Sequence, residues 1–210
     1  MILYFLRHAS AGERISDAKR DERRPLDAEG TAQCGLMGRA LAAMDVRVDV
    51  IVSSPLKRAL QTASLVGNEI EFGGTLLQDA ALRPDATFAR FQDLLQRLHK
   101  AEAVLVVGHN PTLGEFLGRL LVAGGRPARV DLKKGAVAKV EVGSRGAVLQ
   151  WCLTPRVVKS LLLKPKPDKT TTLRGRPSAL GLSPSAPGAR SPAHHGAGTA
   201  ERSRPKTSRK

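Results

Sequence analysis

The sequence predicts an α/β protein with a mostly parallel mixed sheet, helices on both faces and a C-terminal antiparallel hairpin. Three observations support this prediction. Short apolar runs that are typical of buried strands recur along the first 155 residues. Segments with helical periodicity alternate with these runs, as expected when helices connect parallel strands. Two final apolar runs, residues 136–142 and 147–153, are separated only by Gly143-Ser144-Arg145-Gly146, which favours a hairpin.

Four further apolar runs predict the strands that precede the hairpin. They cover residues 1–6, 49–52, a short segment around Thr75-Leu76-Leu77, and residues 103–107. Ligands of open α/β sheets bind in the crevice at the carboxyl ends of the parallel strands. Residues that directly follow these runs are therefore candidates for a functional site.

Four segments with apolar residues at helical spacing predict the helices. They cover residues 28–44, 55–67, 88–99 and 111–122. Asp27 is suited to cap the first of them, and Pro55 fits the first turn of the second. The polar segment 9–24 has no such pattern and is predicted to form a loop over the functional site.

Charge divides the 210 residues into a domain and a tail. Residues 1–155 carry 21 Lys and Arg against 17 Asp and Glu, whereas residues 156–210 carry 13 against two, so most of the net charge of +15 belongs to the tail. After a short extension, 156–163, the segment 164–210 is rich in Pro, Ser, Gly and Arg. Such a composition cannot bury enough apolar surface to offset its ordering entropy, so we expect this tail to be disordered.

The tail suggests an accessory function, because a flexible basic segment binds nucleic acid or other anions nonspecifically and in a salt-dependent manner. It contains no aromatic residue for base stacking. The alternative that the tail is an extension without a function stays open. Two cysteines are too few to indicate a disulfide framework or a metal site, and no apolar segment approaches the roughly 20 residues needed to span a bilayer. We expect a cytoplasmic protein without a metal or cofactor.

Arginine and histidine side chains follow three of the predicted strands. Arg7 and His8 follow the first run, Arg58 lies one turn into the helix after the second, and His109 follows the run that ends at residue 107. A single histidine in such a position is more often a packing or surface residue than a functional one. Arg58, taken alone, is equally well explained as an ordinary solvated arginine of a helix. Together they favour a phosphate site, because arginine contacts two phosphate oxygens at once and keeps its charge.

These segments resemble the signatures of the histidine phosphatase superfamily, the group that includes phosphoglycerate mutase. The resemblance rests on Arg7-His8-Ala9, on residues 53–62 and on Val107-Gly108-His109-Asn110-Pro111. Ala9 stands where the family usually has glycine. The compact layout over about residues 1–155, with Arg24-Pro25-Leu26 and no long insertion, is most similar to the small SixA-type phosphohistidine phosphatases. The resemblance implies a phosphoglycerate mutase-like fold.

The resemblance also implies roles for individual residues. His8 is expected to be the nucleophile, with Arg7, Arg58 and His109 as further catalytic residues that hold the phosphoryl group. Asn110 either ties the loop at His109 together or only caps the helix that follows. The residues expected to bind phosphate or substrate are Arg7, Arg24, Arg58, His109 and Asn110.

The short interval between Arg58 and His109 bears on the substrate. Its acidic residues Asp79 and Asp85 have no clear motif around them, so the sequence provides no evident general acid. An alkoxide leaves poorly unless it is protonated, whereas the imidazole of phosphohistidine leaves readily. We therefore expect a phosphohistidine-bearing protein as the substrate. A phosphomonoesterase of small phosphorylated molecules, or a phosphate-binding module with a nucleic-acid-binding tail, is the alternative.

Overall fold

The computed structural model describes residues 1–122 and 124–163, and the predicted basic tail over residues 164–210 lies outside the described residues. The strands are β1 (Ile2–Arg7), β2 (Val50–Ser53), β3 (Leu76–Gln78), β4 (Ala103–Gly108), β5 (Val137–Gly143) and β6 (Gly146–Leu153). They form one sheet in the order β3-β2-β4-β1-β5-β6. Strands β1 to β4 run parallel to one another, β5 is antiparallel to β1, and β6 completes a hairpin with β5. The predicted mixed sheet is confirmed.

The helices occupy the predicted connections. They are α1 (Ala18–Glu22), α2 (Ala28–Ala43), α3 (Lys57–Glu69), α4 (Phe88–Arg97), α5 (Thr112–Leu120) and α6 (Pro155–Leu163), with a 3-10 turn over Ala80–Leu82. Asp27 caps α2 as predicted, since its carboxylate accepts the Gly30 N–H at 2.6 Å. α3 begins two residues later than Pro55, because Leu56 keeps an extended backbone with φ −70° and ψ 134°. None of the described helices is both long and apolar enough to cross a membrane.

Two helices differ from the sequence prediction. α1 lies within the segment 9–24, which was predicted to be a loop. Its first turn is capped by Asp17, whose carboxylate accepts the Arg20 N–H at 2.7 Å. α1 buries no apolar side chain, so it has no apolar periodicity that could reveal it. α6 forms in the segment predicted as a short extension, where Val158 is buried in the core.

The core lies on both faces of the sheet. On one face, Phe91, Phe116 and Leu117 of α4 and α5 pack on inward side chains of β1 and β4. On the other face, α2, α3 and α6 supply buried side chains that include Met37 and Val66. Strands β1 and β4 are therefore buried from both sides and read as continuous apolar runs, as parallel strands do.

The strand register brings the predicted site residues to one edge of the sheet. Arg7 pairs with Gly108 across β1 and β4, and Ser53 pairs with Val107 across β2 and β4. The next residues along each strand therefore leave the sheet side by side. The loop after β1 is held against α2, where Ser10 O accepts the Asp27 N–H at 3.2 Å.

We predict that Gly30→Ala destabilises the fold, because a methyl group at this position would overlap the Ser10 carbonyl. Overpacking of this kind costs about 1–3 kcal/mol, and the free energy of unfolding measured in urea should fall by that amount. Gly35→Ala on the same helix is the control. A methyl group there would meet only the side-chain ends of Arg39 and Glu69, and alanine favours helix over glycine. Equal stability of Gly30→Ala and the wild type would contradict the close contact.

Candidate active site

A cavity of about 410 Å³ lies at the carboxyl ends of β1, β2 and β4. It is lined by five of the side chains that the sequence predicted for a phosphate site: His8, Arg24, Arg58, His109 and Asn110. Arg7 lies beside the cavity, where it lines an adjoining groove. The fold therefore gathers residues that are up to about 100 positions apart in the sequence.

His8 directly follows β1 and is only 8% exposed. Its Nδ1 lies 2.8 Å from the Ala9 carbonyl oxygen. Because a carbonyl oxygen only accepts hydrogen bonds, Nδ1 carries the hydrogen and Nε2 keeps the lone pair. Burial, and then the charges of Arg58 and two further arginines, outweigh this hydrogen bond and lower the pKa of His8 to about 3. The imidazole is therefore neutral at physiological pH.

His109 lies beside His8, with 4.9 Å between the ring centroids. Its Nε2 is 2.8 Å from the Ser54 hydroxyl, whose oxygen also accepts the Leu56 N–H at 3.4 Å. The hydroxyl can donate its hydrogen to Nε2, which leaves the imidazole hydrogen on Nδ1. Burial, the neighbouring His8 and nearby arginine charges lower the pKa of His109 to about 2. His109 is thus a neutral side chain with one hydrogen to donate.

Asp21 joins two of the predicted arginines. Its carboxylate lies 2.8 Å from Arg24 Nε and 3.4 Å from Arg58 Nη1. Its backbone carbonyl accepts a hydrogen bond from the same Arg58 nitrogen at 2.8 Å. Partial burial disfavours the charged form of Asp21, but the Ile15 N–H, Arg24 and Arg58 outweigh it and hold the pKa of this carboxyl below its usual value. The carboxylate fixes both guanidinium groups in the cavity wall.

A second set of hydrogen bonds connects the loop after β1 to α3. The Ala9 N–H donates to the Thr62 hydroxyl at 3.1 Å, and this hydroxyl donates to the Arg58 carbonyl at 2.7 Å. Ala9, which replaces the glycine usual in the resembled family, is fully buried and packs in the core. Its methyl group is accommodated without entering the cavity lining.

Arg7 and Asn110 both contact the segment before β5. Arg7 Nη1 donates to the Leu132 carbonyl at 2.8 Å. Asn110 Nδ2 donates to the same carbonyl at 2.9 Å and to Asp131 at 3.2 Å. The residue at the N-cap of α5 is Pro111, and no side chain caps this helix. Of the two roles considered for Asn110, the contacts match that of tying the His109 loop in place.

Three buried nitrogen atoms have no hydrogen-bond partner among the described residues: Arg7 Nε, Arg58 Nε and His109 Nδ1. A buried donor left unpaired costs about 1–3 kcal/mol. Such atoms therefore mark a place for a ligand that accepts hydrogen bonds. A phosphoryl group offers three oxygens for this purpose, and positive donors stabilise its charge.

Sequence reasoning missed several charged residues of the cavity. Arg83 and Glu22 both line it and form an ion pair of 2.5 Å, and Asp85 lies 3.4 Å from Arg83 Nε. Arg83 follows β3, whose carboxyl end lies at the same edge of the sheet as those of β2 and β4. That position is the signal that could have identified it. Asp21 and Glu22 carried no such signal, because they belong to the unpredicted helix α1.

Asp79, one of the two acidic residues named in the interval between Arg58 and His109, lies away from the cavity. One of its carboxylate oxygens accepts the Ala81 N–H at 2.8 Å and the other lies 2.7 Å from Arg97 Nη2. The first contact caps the 3-10 turn, and the second joins Asp79 to α4. Asp85, in contrast, lines the cavity and has a side chain that is 77% exposed.

The fold and the cavity define a class of protein. Two neutral histidines and several arginines at the strand ends of a mixed sheet suit the transfer of a phosphoryl group, because fixed donors stabilise the charge on its oxygens. Residues 3–84 match the model of the histidine phosphatase superfamily, branch 1. An uncharacterized protein of Picosynechococcus sp. is 33% identical over 146 residues, which are 69% of this chain and 87% of that protein. The chain belongs to the histidine phosphatase superfamily and is a phosphatase.

Two comparisons concern SixA proteins. Phosphohistidine phosphatase SixA of Escherichia coli is 27% identical over 158 residues, which are 74% of this chain and 94% of that protein. A structure of the protein histidine phosphatase SixA complexed with tungstate has a TM-score of 0.65 and 26% identity, and the match covers 75% of this chain and 99% of that one. This likeness confirms the fold that the sequence resemblance implied.

We predict that the fold loses stability as the pH is lowered from about 6.5, because the two buried histidines bind protons in the unfolded chain but not in the folded one. The pKa of His8 is 6.5 in the unfolded chain and about 3 in the folded protein. At a pH between these two values, proton binding by His8 favours the unfolded chain. Each histidine should contribute up to about 1.4 kcal/mol per pH unit. Urea unfolding at about pH 7 and about pH 5 measures this dependence.

The replacement His8→Gln should flatten this pH dependence, and His99→Gln is the control because His99 is exposed at the end of α4. An unchanged pH dependence in His8→Gln would show that the buried imidazole is already protonated in the folded protein.

Proposed function

We propose that this phosphatase hydrolyses phosphohistidine through a covalent intermediate on His8. One observation carries the proposal: the Ala9 carbonyl holds the hydrogen of His8 on Nδ1, so a neutral Nε2 is available beside Arg58 and His109. A histidine attacks phosphorus only with an unprotonated nitrogen, and this geometry supplies one. The named relative from E. coli, a phosphohistidine phosphatase, supports the choice of substrate.

In the first step, the lone pair of His8 Nε2 forms a bond to the phosphorus of the substrate. The bond between phosphorus and the substrate imidazole breaks, and its electron pair stays on the leaving nitrogen, which takes a proton. His8 begins this step neutral because burial keeps its pKa low. The Ala9 carbonyl then stabilises the positive charge that develops on the ring, since Nδ1 keeps its hydrogen throughout.

The arginines and His109 are proposed to hold the phosphoryl group. Charge spreads over its three equatorial oxygens in the transition state, so preorganised donors matter more than acid–base chemistry. Arg58 and Arg24 are fixed by Asp21, and Arg7 is fixed by the Leu132 carbonyl. None of them has to reorganise when the charge develops.

In the second step, water attacks the phosphorus of phosphorylated His8. The bond between phosphorus and Nε2 breaks, its electron pair returns to Nε2, and inorganic phosphate leaves with the oxygen and one hydrogen of water. The other proton of water passes to solvent, which balances the proton that the leaving imidazole takes up in the first step. The overall reaction consumes one phosphohistidine and one water and yields histidine and phosphate. No oxidant or reductant enters the balance, and water is the only other reactant.

The carboxylates at the cavity favour a good leaving group over an alkoxide. Asp21 accepts hydrogen bonds from the Ile15 N–H and Arg24, and its lowered pKa leaves it without a proton to donate. Glu22 accepts a hydrogen bond from Arg83 at 2.5 Å. Asp85 is the remaining candidate acid at the rim. A site that lacks a committed acid suits phosphohistidine, whose imidazole can take its proton from solvent.

We predict that His8→Ala lowers the hydrolysis rate by at least about a thousandfold, because it removes the nucleophile. Rapid acid-free quenching of the wild type with labelled substrate should trap a phosphoenzyme that is absent from the variant. His99→Ala, at an exposed histidine, is the control and should keep full activity. Unreduced turnover in His8→Ala would rule out His8 as the nucleophile.

We also predict that phosphohistidine is hydrolysed at least about tenfold faster than phosphoserine or a sugar phosphate, a difference of roughly 1.4 kcal/mol in barrier. A chelator should leave the rate unchanged, because the arginines supply the positive charge. The relative rates come from phosphate release on a matched panel of substrates.

The variant Asp85→Asn tests for a general acid, with Asp79→Asn as a control that lies outside the cavity. Strong phosphomonoesterase activity that only Asp85→Asn removes would replace the phosphohistidine proposal with that of a general phosphatase.

A further inference from the structure

A groove of about 790 Å³ adjoins the cavity and shares Asn110 and Pro111 with it. Four arginines line this groove, which we call the basic groove: Arg7, Arg119, Arg126 and Arg129. Its carboxylates are Glu115 and Asp131. The groove lies outside the set of residues proposed for phosphoryl transfer, except for Arg7 and Asn110 at its inner end.

Two glycines of α5 give the groove its shape. A Cβ at Gly114 would collide with the Val130 carbonyl, and one at Gly118 would collide with the Ala128 carbonyl. Because neither glycine has a side chain, the backbone before β5 lies directly on the helix, where the Ala128 N–H donates to the Gly118 carbonyl at 3.1 Å. The backbone before β5 and helix α5 pack closely and form the base of the groove. Long side chains from both line the groove.

The groove keeps an excess of positive charge. Asp131 is already matched within its own segment, since Lys133 Nζ lies 2.6 Å from its carboxylate. Within residues 1–122 and 124–163, none of Arg119, Arg126 and Arg129 forms a salt bridge, and all three are exposed. Glu115 is then the one groove carboxylate without a lysine partner in the described residues. Such a surface attracts an anionic partner.

We infer that the basic groove binds an acidic segment of the phosphoprotein substrate, one that flanks the phosphorylated histidine. This inference rests on the proposed function for the identity of the phosphorylated residue. Asn110 and Pro111 belong to both the cavity and the groove, so a chain whose phosphohistidine enters the cavity continues directly into the groove. Asp and Glu side chains of that chain then meet Arg126 and Arg129.

The groove selects among phosphoproteins by charge, whereas the cavity recognises only the phosphoryl group and its imidazole. Exposed ion pairs contribute little each, but several in one groove raise the association rate and discriminate against partners of like charge. The preference is therefore expected in KM more than in kcat. It should weaken with salt, because exposed charges are screened.

The test uses the full chain and two phosphohistidine peptides that differ only in flanking residues, acidic in one and Ser/Gln in the other. The wild type should show roughly a tenfold higher kcat/KM for the acidic peptide at low salt, mostly through KM. The variant Arg126→Glu/Arg129→Glu should lose this preference and keep its activity on the neutral peptide. The control is Lys100→Glu/Arg145→Glu, which makes the same charge change at the amino ends of β1 and β4, opposite the cavity. This variant should keep the preference for the acidic peptide.

Binding is measured in parallel by fluorescence anisotropy, with labelled peptides that carry a stable phosphonate analogue of phosphohistidine. If the neutral peptide is hydrolysed but neither assay shows a preference for the acidic one, the groove inference fails and the proposed function stands. If neither peptide is hydrolysed, the proposed function fails. In that case, tighter binding of the acidic analogue that depends on Arg126 and Arg129 still supports the inference that the groove binds an acidic segment. A preference that survives in Arg126→Glu/Arg129→Glu would overturn the inference in either case.

Discussion

The Asp21 carboxylate holds Arg24 and Arg58 in one arrangement, and the charge pattern of the cavity depends on that contact. The Arg58 and Asp21 side chains are only 7% and 13% exposed, so water solvates neither charge fully and each depends on the other for compensation. Removing one partner of a buried pair leaves the other charge uncompensated, which is more destabilising than the pair is stabilising. The pair therefore fixes geometry more than it adds stability. Within residues 1–122 and 124–163 it also leaves Arg58 Nε without a hydrogen-bond partner, so an anion can accept that hydrogen.

Burial beside positive charge also determines the protonation of the two histidines. A buried imidazole among arginines does not bind a second proton at physiological pH, so each ring is neutral and carries one hydrogen. A neighbouring group determines which nitrogen holds that hydrogen. The Ala9 carbonyl places the hydrogen of His8 on Nδ1, and the Ser54 hydroxyl can do the same for His109. The rings are alike in the sequence but differ in function, since one keeps a free lone pair on Nε2 and the other a free donor on Nδ1. In the proposed mechanism, the burial that keeps His8 unprotonated is thus the condition for its attack on phosphorus at neutral pH.

In the proposed function, the edge of the sheet at the carboxyl ends of β1 and β4 connects the site for the phosphoryl group to the site for the chain that carries it. Arg7 ends β1 and Asn110 follows β4, and both are tied to the Leu132 carbonyl in the segment before β5. The same segment forms one wall of the basic groove. The cavity proposed for the phosphoryl group and the groove proposed for its carrier therefore share one boundary. This arrangement needs no inserted domain, in keeping with the short interval between Arg58 and His109.

The sequence by itself determined the sheet, most of the helices and the candidate residues at the ends of β1, β2 and β4. Those features depend on local patterns: apolar runs, helical periodicity, the cap at Asp27 and short motifs at strand ends. Only the tertiary structure decided the roles of Asp21, Glu22 and Arg83, and it separated Asp85 at the cavity from Asp79 outside it. Helix α1 buries no apolar side chain, so it has no periodicity that could be recognised in the sequence. The partners of Asp21 lie as far as 37 residues away in the chain. Contacts across such distances arise when strands pair and helices pack, and no local pattern of residues encodes which side chains then meet.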